Sequence, residues 1–237
     1  MTAGDRASRG ARQASRDPLS REQIIDAALA FVDERGLDAL TMRALAQELG
    51  VYPTALYWHV GTKAQLLSAV SARIFEEVAL PGAGELPWDA WLAMMARQCR
   101  AAIHRHPNLA PIVGSHLVVT TTAIPLVERV IVVLEGAGLA GEELLHVYNS
   151  LIGFVLGWVT LELSIEPADA EEGWKDDFAR QLRSLDEVAF PALTRNMSLM
   201  ANNAFMTRWD SGRAKPMDRS FDAALDLLVR GVRASLR

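Results

Sequence analysis

LTMRALAQELGVYPTALYWHVGTKAQLL, residues Leu40 to Leu67, reads as two short helices separated by a tight turn, followed by the start of a longer one. Thr41 stands where it can cap the first, Leu45 and Leu49 share one of its faces, and Gly50 ends it after little more than two turns. Pro53 suits the first turn of the second helix, where its missing N–H would be unpaired anyway, and Gly61 stops that helix. Thr62 and Gln65 form a capping-box pair ahead of a stripe of Leu66, Leu67, Val70 and Ile74. Two short helices joined by a tight turn inside a bundle of about 60 residues is the plan of a helix-turn-helix DNA reader.

The second short helix decides whether that plan is used. A wheel that buries Leu56 and Val60 leaves Tyr52, Pro53, Thr54, Ala55, Tyr57, Trp58 and His59 on or near the surface, with no carboxylate to repel phosphate. Small residues at its start let the helix sink into the major groove, where Thr54 and Ala55 meet base edges or thymine methyls. Tyr57, His59, Lys63 and the helix N-terminal N–H groups are placed to donate to phosphates. Arg43, on the preceding helix, suits a bidentate guanine contact. Singly, each has a plainer reading: an aromatic in a helix usually packs, and a single His or Arg is usually a solvated surface group. Their joint spacing points to DNA.

Outward from this stretch the punctuation stays helical. On the N-terminal side, Ser20 with Gln23 opens a helix carrying Ile24, Ala27, Ala28, Phe31 and Val32, and Gly36 closes it. Residues 1–19 are polar and arginine-bearing and read as a flexible arm rather than a cleaved signal peptide. On the other side the helix opened by Thr62 is expected to run to Pro81-Gly82, so residues 20–80 form the reader and 81–237 a larger regulatory and dimerisation domain. Six helical stretches are expected there: Trp88 to Arg105, Asn108 to Gly114, Thr120-Thr121-Thr122 through Pro125 to Gly136, Glu142 to Ile165, Trp174 to Met206 with a break near Phe190-Pro191, and Met217 to Leu236. The β-branched runs VVTTT (118–122) and VIVVL (130–134) are too isolated to build a sheet. The fold class is therefore all-α.

Composition bounds the function. With 237 residues, half of them hydrophobic and 22% charged, the chain is too apolar for disorder, and its single Cys99 excludes an internal disulfide framework or a cysteine-based zinc site. That cysteine usage fits a reducing cytoplasm. The formal net charge of −5 is unevenly spread: residues 1–67 hold eight Lys or Arg against eight Asp or Glu, and the remainder holds all of the excess acidity. The reader is neutral, so binding would rest on a few placed donors and on dimerisation, with Arg6, Arg9, Arg12 and Arg16 of the arm as a supplement. Leu144 to Ile165 nearly meets the length of about 20 residues that spans a bilayer. Its flanks carry Glu142, Glu143 and Glu166 rather than Lys or Arg, and Asn149, Ser150, Thr160 and Ser164 interrupt it, so it reads as a helix buried in protein and not as a membrane partner.

The Leu40–Leu67 stretch strongly resembles the DNA-binding domain of the tetracycline-repressor (TetR) family of bacterial transcription regulators. The T-x-R-x-L-A-x-x-L-G-V segment, the LYWHV helix and the Lys two residues after Gly61 match it in register, and the likeness covers Ser20 to Phe75. A looser likeness to the family's all-helical regulatory domain, in its tetracycline-repressor-like branch, rests on Phe221, Leu225, Leu228 and Gly231. The resemblance implies phosphate contacts at Thr41 and Lys63, a base contact at Arg43, base edges read by Pro53, Thr54 and Ala55, and backbone contacts at Tyr57 and His59. Tyr52-Pro53 stands where many relatives have a polar base-reading residue, so their operator sequence does not transfer.

A reader of this kind binds double-stranded operator DNA as a homodimer, with half-sites about 34–36 Å apart or a multiple of that. The two most apolar helices are the expected interface, through Leu151, Gly153, Val155, Gly157 and Trp158 on one and Phe221, Leu225, Leu228 and Val232 on the other. In the family the corresponding helices form a four-helix bundle across the twofold axis. Trp91, Met94, Met95, Cys99, Ile103, His104, His116, Tyr148, Asn149 and Ile152 are the candidates for a small-molecule effector pocket, apolar walls with a few polar tips. The tetracycline-binding branch holds a magnesium chelate with His, Asn and Gln, whereas Ala93-Met94-Met95 here supplies no amide, so a more apolar effector is expected. No cofactor, metal site or catalytic residue is expected: the histidines lack HExxH spacing, and neither a phosphate loop nor a GxSxG elbow is present. The alternative is a helical adaptor or an enzyme that has kept the helix-turn-helix shape without binding DNA.

Overall fold

A computed structural model of the chain describes residues 19–115, 124–164 and 170–236, and among these it contains eleven α-helices and no strand. The first four are α1 (Arg21–Arg35), α2 (Met42–Leu49), α3 (Pro53–Val60) and α4 (Lys63–Glu76). Their starts are the ones the sequence marks. Ser20 and Gln23 exchange both bonds of a capping box, Thr62 and Gln65 do the same, and the Thr41 hydroxyl accepts from the Ala44 N–H at 3.0 Å. Gly50 ends α2 in the left-handed conformation, at φ 67°. Ile24, Ala28, Val32, Leu45, Leu56, Leu66, Val70 and Ile74 close a core between these four helices.

Helix α4 stops at Glu76, short of the expected Pro81-Gly82. Beyond it the chain is held by side chains from the other part of the molecule: Arg105 donates to Glu77 at 2.7 and 2.9 Å, Arg129 donates to the Leu80 and Pro81 carbonyls, and the Trp91 indole donates to Pro81 O at 3.0 Å. These bonds to the chain after α4 take the place of further helical turns.

The larger part comprises α5 (Trp88–Arg105), α6 (Ala110–Ser115), α7 (Ile124–Gly136), α8 (Gly141–Glu162), α9 (Trp174–Arg183), α10 (Pro191–Met200) and α11 (Asp218–Ser235). Helix α5 lies at its centre, packed against α7, α8 and α11, and α4 docks onto it. VIVVL belongs to α7, whereas VVTTT lies outside the described residues. The break expected near Phe190-Pro191 is present: α9 ends at Arg183, Pro191 opens α10 after a turn closed by the Phe190 N–H on Asp186 O, and α10 stops at Met200, short of the expected Met206. Asn202, at φ 56°, ends the second run and feeds a loop in which its side chain bonds Trp209 N and Asp210.

A buried carboxylate ties this part together. Glu162, fully buried at the end of α8, receives the Arg100 guanidinium from α5 at 2.6 and 2.8 Å and the Met217 N–H at 2.7 Å. His104 Nε2, one turn along α5 from Arg100, lies 3.2 Å from it. Burial alone would raise its pKa, but Arg100, His104 and Met217 reverse that and hold it at about 2. The Gly212 N–H meets the Glu162 carbonyl at 2.7 Å, and a Cβ on Gly212 would come within 2.5 Å of the Glu162 side chain. Glycine is needed there because the loop touches α8 directly. Phe154, Trp158, Phe205 and Phe221 stack beside this cluster, and Arg100 lies over the Phe221 ring.

Candidate functional site

Helices α2 and α3 pack against each other, and both carry exposed side chains. Leu56 and Val60 point inward, while Tyr52, Tyr57 and Trp58 are 83%, 51% and 90% exposed, a large aromatic surface with no packing role in the chain itself. Thr54 and His59 are exposed beside them, and Pro53 and Ala55 are half-buried at the helix start. Tyr52 precedes α3 without a side-chain cap, Pro53 carries no N–H, and the Ala55 N–H is taken by the Tyr52 carbonyl at 2.9 Å. Arg43 and Lys63 are exposed, with no ion-pair partner among the described residues. The carboxylate of α2, Glu48, is engaged by Arg35 at 2.9 Å. With Thr41, which is exposed at the start of α2, all ten residues expected to read DNA are exposed or half-buried.

Behind the reader, α4, α5, α7 and α8 enclose a cavity of about 300 Å³ lined by Phe75, Met95, Cys99, Leu126, Val127, Val130, Tyr148, Ile152, Val155 and Leu156. This volume is at the lower end of small-ligand sites. Of the expected pocket residues, Met95, Cys99, Tyr148 and Ile152 line it. The others do not. Trp91 is buried with its indole on Pro81, Ile103 packs in the core, Met94 is half-buried off the cavity, and Asn149 faces outward from α8. His104 turns to Glu162 because a buried carboxylate attracts the nearest donors on α5. His116 lies outside the described residues. Phe75 was missed, because a sequence does not reveal which side of α4 will meet α5.

Between reader and cavity lies a polar junction. His106, just past α5, places Nδ1 2.7 Å from Asp33 of α1 and Nε2 3.1 Å from Glu77, just past α4. An imidazole can donate to both carboxylates only when it carries both protons. Asn108 donates to the Val32 and Asp33 carbonyls at 2.8 and 3.2 Å, satisfying the end of α1. Burial would raise the Glu77 pKa, but Arg105 and His106 leave it below the usual carboxylate range.

The outward side of α8 also departs from expectation. This helix is long and apolar enough to cross a membrane by length and composition, yet only 17% of its most apolar window is buried in the single chain. Leu145, Gly153, Gly157 and Leu161 are exposed along it, and Leu227 and Gly231 are exposed on α11. A Cβ on Gly153, Gly157 or Gly231 would meet nothing within 4 Å. Leu151, Val155, Phe221, Leu225 and Val232, assigned above to an interface, are instead core residues of their own chain, because the most apolar stripe of each helix is drawn inward. Trp158 stacks within the chain's aromatic cluster, and Leu228 is half-exposed.

Comparison with known proteins gives a consistent result. Residues 24–70 match the family described as bacterial regulatory proteins, tetR family, and residues 80–236 match the tetracyclin repressor-like C-terminal domain. An HTH-type transcriptional regulator of Saccharopolyspora erythraea is 32% identical over 179 residues, 75% of each chain. The HTH-type transcriptional repressor DrrR1 of Streptomyces coeruleorubidus is 29% identical over 84% of this chain and 76% of its own. Among solved structures, the Streptomyces coelicolor TetR family protein ActR in complex with (S)-DNPA aligns with a TM-score of 0.76 at 28% identity, over 93% of this chain and 100% of that one. ActR has also been solved in complex with actinorhodin.

Proposed function

Because the chain belongs to the TetR family of helix-turn-helix transcriptional regulators, we propose that it represses transcription in the cytoplasm as a homodimer on a palindromic operator, and that a small, largely apolar effector releases it. As a DNA-binding regulator it is not an enzyme. The observation that carries the release reading is Phe75: a residue of α4, the helix that follows the reader, forms part of the wall of the cavity between α5, α7 and α8. A ligand there that prefers a shifted α4 disfavours the operator-bound arrangement, and by linkage the operator disfavours the ligand to the same degree. The junction of His106 and Arg105 with Glu77, two residues after Phe75, couples that shift to α1 through Asp33.

Dimerisation is supported by the exposed apolar stripes of α8 and α11, whose open glycines let a second copy's helices approach closely. The same cover accounts for α8 without a membrane. Replacing Gly157 by Trp should leave helical content intact and shift sedimentation from dimer to monomer; an unchanged dimer would place the interface elsewhere.

The operator is obtained by selecting bound fragments from genomic DNA. On the selected duplex, Arg43→Ala should weaken binding by about 1–3 kcal/mol and relax specificity at one position of each half-site, while Lys63→Ala should weaken all sequences alike and lower the salt slope by about one. Binding that no duplex supports, or that neither variant alters, would refute the DNA-reading role.

A further inference from the structure

The cavity wall is chemically lopsided. Aliphatic side chains, Phe75 and Met95 form nearly all of it, and no charged residue lines it among the described residues. The charged groups of α5 are committed elsewhere: Arg100 and His104 face Glu162, and Arg105 holds Glu77. On α7, Arg129 is turned to the Leu80 and Pro81 carbonyls. An ion placed in the cavity would lose its water and find no counter-charge, which is strongly unfavourable. Nor do the described residues contain a group of His, Cys, Asp and Glu side chains that could hold a metal. Cys99 stays a neutral thiol, since burial pushes its pKa up to about 12, and it lies 3.5 Å from Met95 Sδ. That leaves Tyr148. Among the described residues its phenol is the single oxygen-bearing side chain of the lining, is half-buried, and has no hydrogen-bond partner.

We propose that the cavity takes an uncharged, mainly aromatic or hydrocarbon molecule with one hydroxyl or carbonyl, that Tyr148 anchors that group, and that recognition uses no metal. The proposal rests on the reading of this cavity as the effector site and narrows it to a chemical class. Apolar area supplies most of the affinity, and the Tyr148 bond selects among apolar molecules, because an oxygen left unpaired in such a wall is penalised.

The test is calorimetric titration of the full-length protein with 2-naphthol, naphthalene and 2-naphthoate at neutral pH, without added metal. 2-Naphthol is expected to bind about 3–10-fold tighter than naphthalene, Tyr148→Phe to erase that margin while leaving naphthalene unchanged, and 2-naphthoate to bind at least about tenfold weaker than 2-naphthol. Ile152→Phe, which narrows the cavity, should weaken every probe. Tighter binding of the carboxylate, a margin that survives in Tyr148→Phe, binding indifferent to Ile152→Phe, or no binding of any probe would overturn the proposal. The selected operator duplex separates this from the release reading: 2-naphthol that binds as expected but leaves operator affinity unchanged supports the cavity chemistry and refutes release.

Discussion

The reader and the larger regulatory part are both helical, yet their helices are held at opposite ranges. In the reader, α1, α2 and α4 each begin on a Ser or Thr whose hydroxyl accepts a bond from three residues along, and α3 begins on Pro53. In the other part α5, α8, α9, α10 and α11 start without any side-chain cap. What stands in for a cap is distant: the N–H of Met217, at the head of α11, is satisfied by Glu162, 55 positions earlier. Locally specified helices make a reader that can move as a unit. Helices held by long-range bonds make a body whose packing can respond to what fills it.

Four changes would break or sharpen this contrast. Glu162→Gln should have the largest effect, a loss of about 3 kcal/mol in chemical denaturation, since it removes the buried carboxylate and leaves Arg100 only the solvent-exposed Asp218 as a charged partner. Acidification of the unaltered protein comes next. The folded pKa of Glu162, about 2, lies below its ordinary value, so its contribution is complete above about pH 4.5 and fades as pH falls toward 2. Denaturation midpoints over that range should lose about 3 kcal/mol from this group, and the Gln variant should lose correspondingly less. Asn108→Ala should cost about 1 kcal/mol by removing the side-chain donor to the Asp33 carbonyl, since Val32 O keeps the Gly36 N–H, and should weaken the transmission of effector binding to operator affinity more than it weakens operator binding itself. Thr62→Ala, a purely local cap, should cost about 1 kcal/mol and leave that transmission intact. A Thr62 effect as large as that of Glu162, or a transmission defect in Thr62→Ala, would erase the distinction between the two parts.

The same contrast explains what could be read in the sequence. Capping residues lie within four positions of what they bind, so α1 to α4 and their exposed aromatic face were legible from Ser20 to Lys63. Helix α8 is apolar nearly all round, and periodicity cannot choose its inner side when every side is apolar. Leu151 and Val155, expected to face a partner, are core, while Gly153 and Gly157 are exposed. On α11 the most apolar stripe was given to a partner although the chain's own core has the prior claim on it. The pairing of Arg100 and His104 with Glu162 did leave a trace: an arginine and a histidine four apart on α5, and one carboxylate inside an otherwise apolar run. Phe75 left none, since its role depends on how two separately formed parts dock.

The Glu162 cluster also carries a consequence for the order in which the chain takes shape. Arg100 is 62 positions before its carboxylate and Met217 is 55 after it, so the clamp cannot close until nearly all of the protein has been synthesised. The reader needs only its own residues to cap the starts of its helices and can fold as it leaves the ribosome, while α5 waits with an unpaired guanidinium. A truncated or stalled chain would therefore expose a finished DNA-reading head on an unfinished body, able to meet DNA singly but without the means to be switched.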